Sequence, residues 1–114
     1  MKCFLLSSDL MFSSQVSGAA RVAGYDVAAI RSADQIEAPA VGCVVVDLTM
    51  NGIDLVQLVS RSKECGLKVI AVGPHVHEQK LESARDAGCD FVLTKGQASR
   101  ELASFLSQLQ ETTE

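Results

Sequence analysis

The feature that most constrains this chain is a set of five short apolar runs: Phe4-Leu5-Leu6, Val27-Ala28-Ala29-Ile30, Cys43-Val44-Val45-Val46, Val69-Ile70-Ala71-Val72 and Phe91-Val92-Leu93. A strand with one wet face alternates apolar and polar residues. Runs that do not alternate predict strands covered on both faces, as parallel strands are. Between the runs the spacing becomes helical. Phe12, Val16, Ala19, Ala20 and Ala23 form one stripe, Leu55, Leu58 and Val59 a second, and Ala98, Leu102, Phe105, Leu106 and Leu109 a third, with Arg100, Glu101 and Gln108 outside it.

Three of the predicted helices run into a glycine, at Gly24, Gly66 and Gly88, and each glycine is followed within a few residues by a strand. Glycine readily takes the left-handed conformation that ends a helix, so these positions mark helix-to-strand turns. The order is β-α-β-α-β-α-β-α-β. It predicts an α/β domain with right-handed crossovers, a five-stranded parallel sheet and helices on both faces. The second helical slot is the exception. Ser32 to Ala38 leaves room for a turn or two before Pro39, so a short or irregular element is expected there. The polar tail from Gln110 to Glu114 is expected to fray.

At 114 residues with 47% hydrophobic residues, the chain is expected to form one domain over residues 1–114. The net charge of −4 argues against a nucleic-acid footprint, which concentrates Lys and Arg on one face. Cys3, Cys43, Cys65 and Cys89 lack the close pairing of metal ribbons or redox motifs and are expected to be reduced core residues. The apolar stretch Cys3 to Leu6 is too short for a signal-peptide core, and no stretch approaches membrane-spanning length, so a cytoplasmic protein without membrane contact is expected.

Ligands of open parallel sheets gather beyond the carboxyl ends of the strands. Residues there are Ser7, Ser8 and Asp9 after the first strand, Asp47 after the third, Gly73 after the fourth, and Thr94 and Lys95 after the fifth. Asp47 and Lys95 are therefore expected near one another.

On these residues the chain resembles response-regulator receiver domains of the CheY-like, flavodoxin-like kind, over essentially its whole length. Asp47-Leu48-Thr49-Met50 followed by Asp54 keeps the family's Asp, Met and later Asp at their spacing. Ala87-Gly88, leading through Phe91-Val92-Leu93 to Lys95, keeps its glycine and lysine. The resemblance implies a doubly wound sheet of order 2-1-3-4-5, with Asp47 as phosphoacceptor and Lys95 contacting the phosphoryl group.

The departures bear on function. Ser7 and Ser8 stand where the family places two magnesium-binding acids. Asp9 supplies one carboxylate only if the first strand ends a residue later. A metal set of Asp9 and Asp47 would bind Mg2+ weakly, because a hard cation wants several anionic oxygens. The switch hydroxyl of the fourth strand is replaced by Gly73, the switch aromatic of the fifth by Val92 with Phe91 one position early, and the proline after the lysine by Gly96. A degenerate stand-alone receiver, or pseudo-receiver, is implied. It would be a binding module in a phosphorelay-type pathway rather than an enzyme, docking a histidine kinase, another receiver, an effector or a second copy of itself. The alternative keeps Asp47 as a working phosphoacceptor.

Blander readings stand beside these. Asp47 as a turn cap and Lys95 as a solvated charge are the ordinary alternatives. His75 and His77 could offer two metal ligands, but no nearby cysteine or carboxylate completes a set, and Pro74 suggests a helix start. The serines of the first loop could cradle a phosphate, as in flavodoxins, but Asp9 would repel it, and one Tyr and no Trp leave little to stack on a flavin. His77, Glu78, Lys80, Glu82 and Arg85 form a charged face on the helix after the fourth strand, for a partner or for solvent.

Overall fold

A computed structural model of the chain describes residues 1–37 and 41–112, with residues 110–112 described as backbone only. The strands are β1 (Lys2–Leu6), β2 (Asp26–Ala29), β3 (Gly42–Asp47), β4 (Lys68–Gly73) and β5 (Phe91–Thr94). The helices are α1 (Leu10–Val22), α2 (Leu55–Glu64), α3 (Glu78–Asp86) and α4 (Lys95–Thr112), with a single 3-10 turn at Ala33–Gln35 in the second slot. The strands form one parallel sheet of order β2-β1-β3-β4-β5.

Side-chain alternation divides the central strands between two cores. Cys3, Leu5, Cys43, Val45, Ile70 and Val72 face α1 and α4, packing on Phe12, Val16, Ala20, Ala98, Leu102 and Leu106. Phe4, Leu6, Val44, Val46, Val69 and Ala71 face the 3-10 turn, α2 and α3, packing on Ala33, Ile36, Leu58, Val59 and Ala84. The unbroken apolar runs follow directly: β1, β3 and β4 are interior strands with both faces dry. The edge strands differ from the sequence expectation. β2 and β5 are only half-buried, because each lacks a neighbour on one side and their flanking helices cover them incompletely.

The helix ends are where the glycines place them, Gly24, Gly66 and Gly88 having φ of 89°, 79° and 95° just beyond α1, α2 and α3. α3 starts later than Pro74 suggests. Pro74 opens a turn closed by His77 N–H donating to the Pro74 carbonyl at 3.0 Å, and the helix begins at Glu78. The second slot is short because Asp34 and Gln35 give no apolar stripe to bury; Arg61 of α2 braces its end by donating to the Ile36 carbonyl at 2.8 Å. The expected roles of Ala38 and Pro39 lie outside the described residues, as does the end of the tail at 113–114. α4 runs three residues into that tail, to Thr112. No helix among the described residues is long and apolar enough to cross a membrane.

Candidate functional site at the carboxyl edge of the sheet

Asp47 is the last residue of β3 and is completely buried. It shares the strand face of Cys43 and Val45, which points it toward α1 and α4, and Ser7 shares that face as the residue after β1. The in-register pairing of Leu6 with Val46 sets Ser7 level with Asp47. Ser7 Oγ donates to Asp47 Oδ2 at 2.9 Å. The other oxygen, Oδ1, accepts from the Thr49 backbone N–H at 2.9 Å and the Thr49 hydroxyl at 2.7 Å. Both carboxylate oxygens are thus engaged within the chain. An aspartate followed two residues later by a hydroxyl residue is a local turn signal, so Thr49 was findable from sequence; the engagement of Ser7 depends on strand register and was not.

Asp9 does not extend β1, which ends at Leu6. It is the N-cap of α1, its Oδ1 accepting from Met11 N–H at 2.9 Å and Phe12 N–H at 3.1 Å. Those helix N–H donors, Phe12 first, together with the Lys95 ammonium hold its carboxyl below the usual aspartate value, against a smaller opposing effect of burial. The second oxygen of Asp9 lies 3.6 Å from Lys95 Nζ, and Lys95 Nζ lies 3.9 Å from Asp47 Oδ1. Lys95 also sits over the Phe12 ring, 4.9 Å from its centroid. Its backbone is fixed by a reciprocal cap. Thr94 N–H donates to Gln97 Oε1 at 2.9 Å, and Gln97 N–H donates to Thr94 Oγ1 at 3.1 Å. Gly96 therefore lies in the first turn of a helix that starts directly from β5.

The structure brings Asp47, Lys95, Asp9 and Ser7 together and leaves Asp54, Gly73, Val92 and the histidines out of the cluster. Asp54 is exposed and caps α2 through a 3.1 Å bond from Gln57 N–H. A side chain at Gly73 would be crowded: a Cβ built there would lie 3.2 and 3.3 Å from Leu48 Cδ1 and Cβ and 3.4 Å from Leu81 Cδ2. Val92 packs into the core under α2 and α3. Phe91 points to the opposite core, where it meets Phe105 edge-on at 4.7 Å. Alternation thus makes Phe91 no substitute for an aromatic at Val92. His75 and His77 are exposed, and no group of three metal-ligating side chains occurs among the described residues.

The donor chemistry does not suit magnesium. One Asp9 oxygen caps a helix, both Asp47 oxygens accept internal hydrogen bonds, and two serines stand where acids would be needed.

No family model and no curated protein matches the sequence. Solved structures do match. Full-length FixJ from B. japonicum superposes with a TM-score of 0.79 at 18% identity, over 99% of this chain and 59% of that one. The chain has the receiver fold. The receiver domain of Francisella response regulator 1452 matches with a TM-score of 0.76 at 18% identity, over 99% of this chain and 98% of that one. The signal receiver domain of a signal transduction histidine kinase from Syntrophus aciditrophicus gives 0.78 at 15% identity, over 99% and 92%. Asp47 is the last residue of the third strand, and Lys95 directly follows the fifth as the first residue of α4.

Proposed function

We propose that this chain is a receiver-like signalling module that works by binding other proteins, with phosphoryl transfer to Asp47 impaired. The observation that carries the reading is the engagement of Asp47: a fully buried carboxylate with Ser7 on one oxygen and Thr49 on the other. A nucleophile must present a lone pair to phosphorus in line with the leaving group. Here donors of the chain itself take three of the carboxylate's four lone-pair positions, both of those on Oδ1 and one on Oδ2. The relay is also absent at Gly73 and Val92, so a phosphoryl group would have no hydroxyl to draw inward and no aromatic to move.

The module would act in a phosphorelay-type pathway, with a histidine kinase, another receiver, an effector or a second copy as partner, and with no catalysis of its own. The charged face of α3 is the candidate contact. His77, just before the helix, and Glu78, Lys80, Glu82 and Arg85 on it are all exposed, and Glu82 and Arg85 are paired at 3.1 Å. Four free thiols suit a reducing cytoplasm, and the net charge of −4 suits protein rather than nucleic-acid partners.

The test is the backbone amide NMR spectrum with and without an acyl-phosphate donor and magnesium. The reading expects the signals of α3, β5 and the start of α4 to stay in place. Their displacement in the wild type, abolished by Asp47→Asn, would establish a working phosphoacceptor instead.

A further inference from the structure

We infer that the outward face of α1 is an interface between two copies of this chain, packed antiparallel about a two-fold axis. The inference deepens the reading of the chain as a binding module and rests on it, taking a second copy as partner and α1 in place of α3 as the surface. Its ground is a ridge of four residues, each one turn from the next: Leu10, Ser14, Gly18 and Val22. All four are exposed, on the side of α1 away from the buried Phe12, Val16 and Ala20. Leu10, Met11 and Val22 are 87%, 82% and 82% exposed, more than any other large hydrophobic residue among those described. A solvated helix face is ordinarily polar. This ridge instead has large apolar residues at its ends and small residues in its middle.

That order reads the same in both directions, which suits a two-fold interface, where each copy offers the same patch to the other. Packing of such four-residue ridges at about −50° sets the two rows side by side. In the antiparallel register Leu10 of each copy meets Val22 of the other, and Ser14 meets Gly18. The small pair lets the helix backbones approach at the crossing, and the large pairs cover one another on either side of it. Gly18 leaves that space open, since a Cβ built there meets nothing within 4 Å.

Charge favours the same occupant. The net charge of −4 drives copies apart, yet residues 10–25 hold no carboxylate and Arg21 as their one charge. Two acidic copies meet on this stretch without like-charge repulsion between carboxylates. Arg21 has no ion pair among the described residues. In the antiparallel pair it comes level with Met11 of the second copy, ~3 Å along the axis from that copy's half-exposed Asp9 carboxylate. The two Arg21 residues stay ~15 Å apart along the axis. A three-turn face is smaller than the ~800 Å² per partner of a stable interface, so the dimer is reversible and fills at high concentration.

The experiment is sedimentation velocity of the full chain from about 1 µM to about 1 mM, for wild type, Gly18→Glu, Leu10→Glu, Val22→Lys and the Leu10→Glu/Val22→Lys double variant. Wild type is expected to pass from one chain mass to two as concentration rises. Gly18→Glu places its side chain in open space in the monomer, so it should keep the wild-type circular dichroism spectrum and stay monomeric. Leu10→Glu and Val22→Lys should each weaken the dimer by about tenfold or more, and the double variant should recover most of that loss, because the two positions meet across the axis. A wild type that is monomeric throughout would overturn the inference and leave the binding-module reading to the α3 face. A dimer that survives Gly18→Glu and is lost on charge reversal of Lys80 and Arg85 would overturn the α1 assignment while supporting that reading. Loss in both single variants with no recovery in the double variant would overturn the antiparallel pairing.

Discussion

Replacing Gly73 with threonine would restore the residue type that the receiver resemblance implies at the end of β4, and it should destabilise this protein. The reason is already present at the first carbon of the side chain. A Cβ at position 73 lies 3.2 Å from Leu48 Cδ1, 3.3 Å from Leu48 Cβ and 3.4 Å from Leu81 Cδ2. The Leu48 methyl can rotate away, but its Cβ moves only with the backbone, and Leu48 N–H is tied to the Val72 carbonyl at 2.9 Å. The added hydroxyl and methyl have to be fitted beyond that contact. Overpacking of this kind costs about 1–3 kcal/mol. With an unfolding entropy of about 2.1 cal/mol/K per residue, this chain loses roughly 4 °C in Tm per kcal/mol, so Gly73→Thr is expected to lower Tm by about 4–12 °C. Gly73→Ala, which adds the Cβ alone, should fall at the low end. Urea denaturation of Gly73→Thr, Leu48→Ala and the double variant completes a cycle in which Leu48→Ala recovers part of the loss, with a coupling above about 0.5 kcal/mol. A Gly73→Thr variant as stable as wild type, or a cycle with no coupling, would refute the claim that Leu48 and Leu81 fill the switch position.

Two further outcomes follow from buried polar groups. Asp47→Ala leaves the Ser7 hydroxyl and both Thr49 donors without their acceptor and should cost about 2–4 kcal/mol by urea denaturation, with Asp47→Asn costing less; stabilisation by Asp47→Ala would contradict a structural role for the carboxylate. Tyr25 donates from a buried position to the Leu106 carbonyl at 2.9 Å, and burial, more than the nearby Cys43 and Cys3, raises its phenol to about 12. Because the folded state holds this proton more tightly than the unfolded state, the contribution is complete below about pH 10 and is lost as pH rises toward 12. Tyr25→Phe should lower stability at neutral pH by about 0.5–1.5 kcal/mol and flatten that alkaline slope; an unchanged slope would mean that other groups carry it.

The fold was legible because its strongest signals are local. Unbroken runs such as Cys43 to Val46 and Val69 to Val72 need two dry faces, and the glycines at 24, 66 and 88 each stand just beyond a helix in the left-handed conformation that ends it. The half-buried state of β2 and β5 was not legible, since which strands lie at the edges depends on topology. For the site, sequence indicated that Asp47 and Lys95 meet, because both follow strand ends on one edge. It could not assign Asp9, whose role turned on a single residue of strand length; β1 stops at Leu6, and Asp9 reaches Lys95 from a helix cap. Nor could it show that Ser7 bonds the carboxylate, that Phe12 lies under the ammonium, or that Leu48 closes the space at Gly73, because each is a contact between elements far apart in the chain.

The central claim is that Asp47 is a buried structural anion and not a phosphoacceptor. Intact-protein mass after incubation with a small acyl-phosphate donor, with and without magnesium and beside an Asp47→Ala control, tests it most directly. The account predicts no added phosphoryl group on either chain under either condition. A single magnesium-dependent phosphoryl adduct on the wild type, absent from Asp47→Ala, would contradict it.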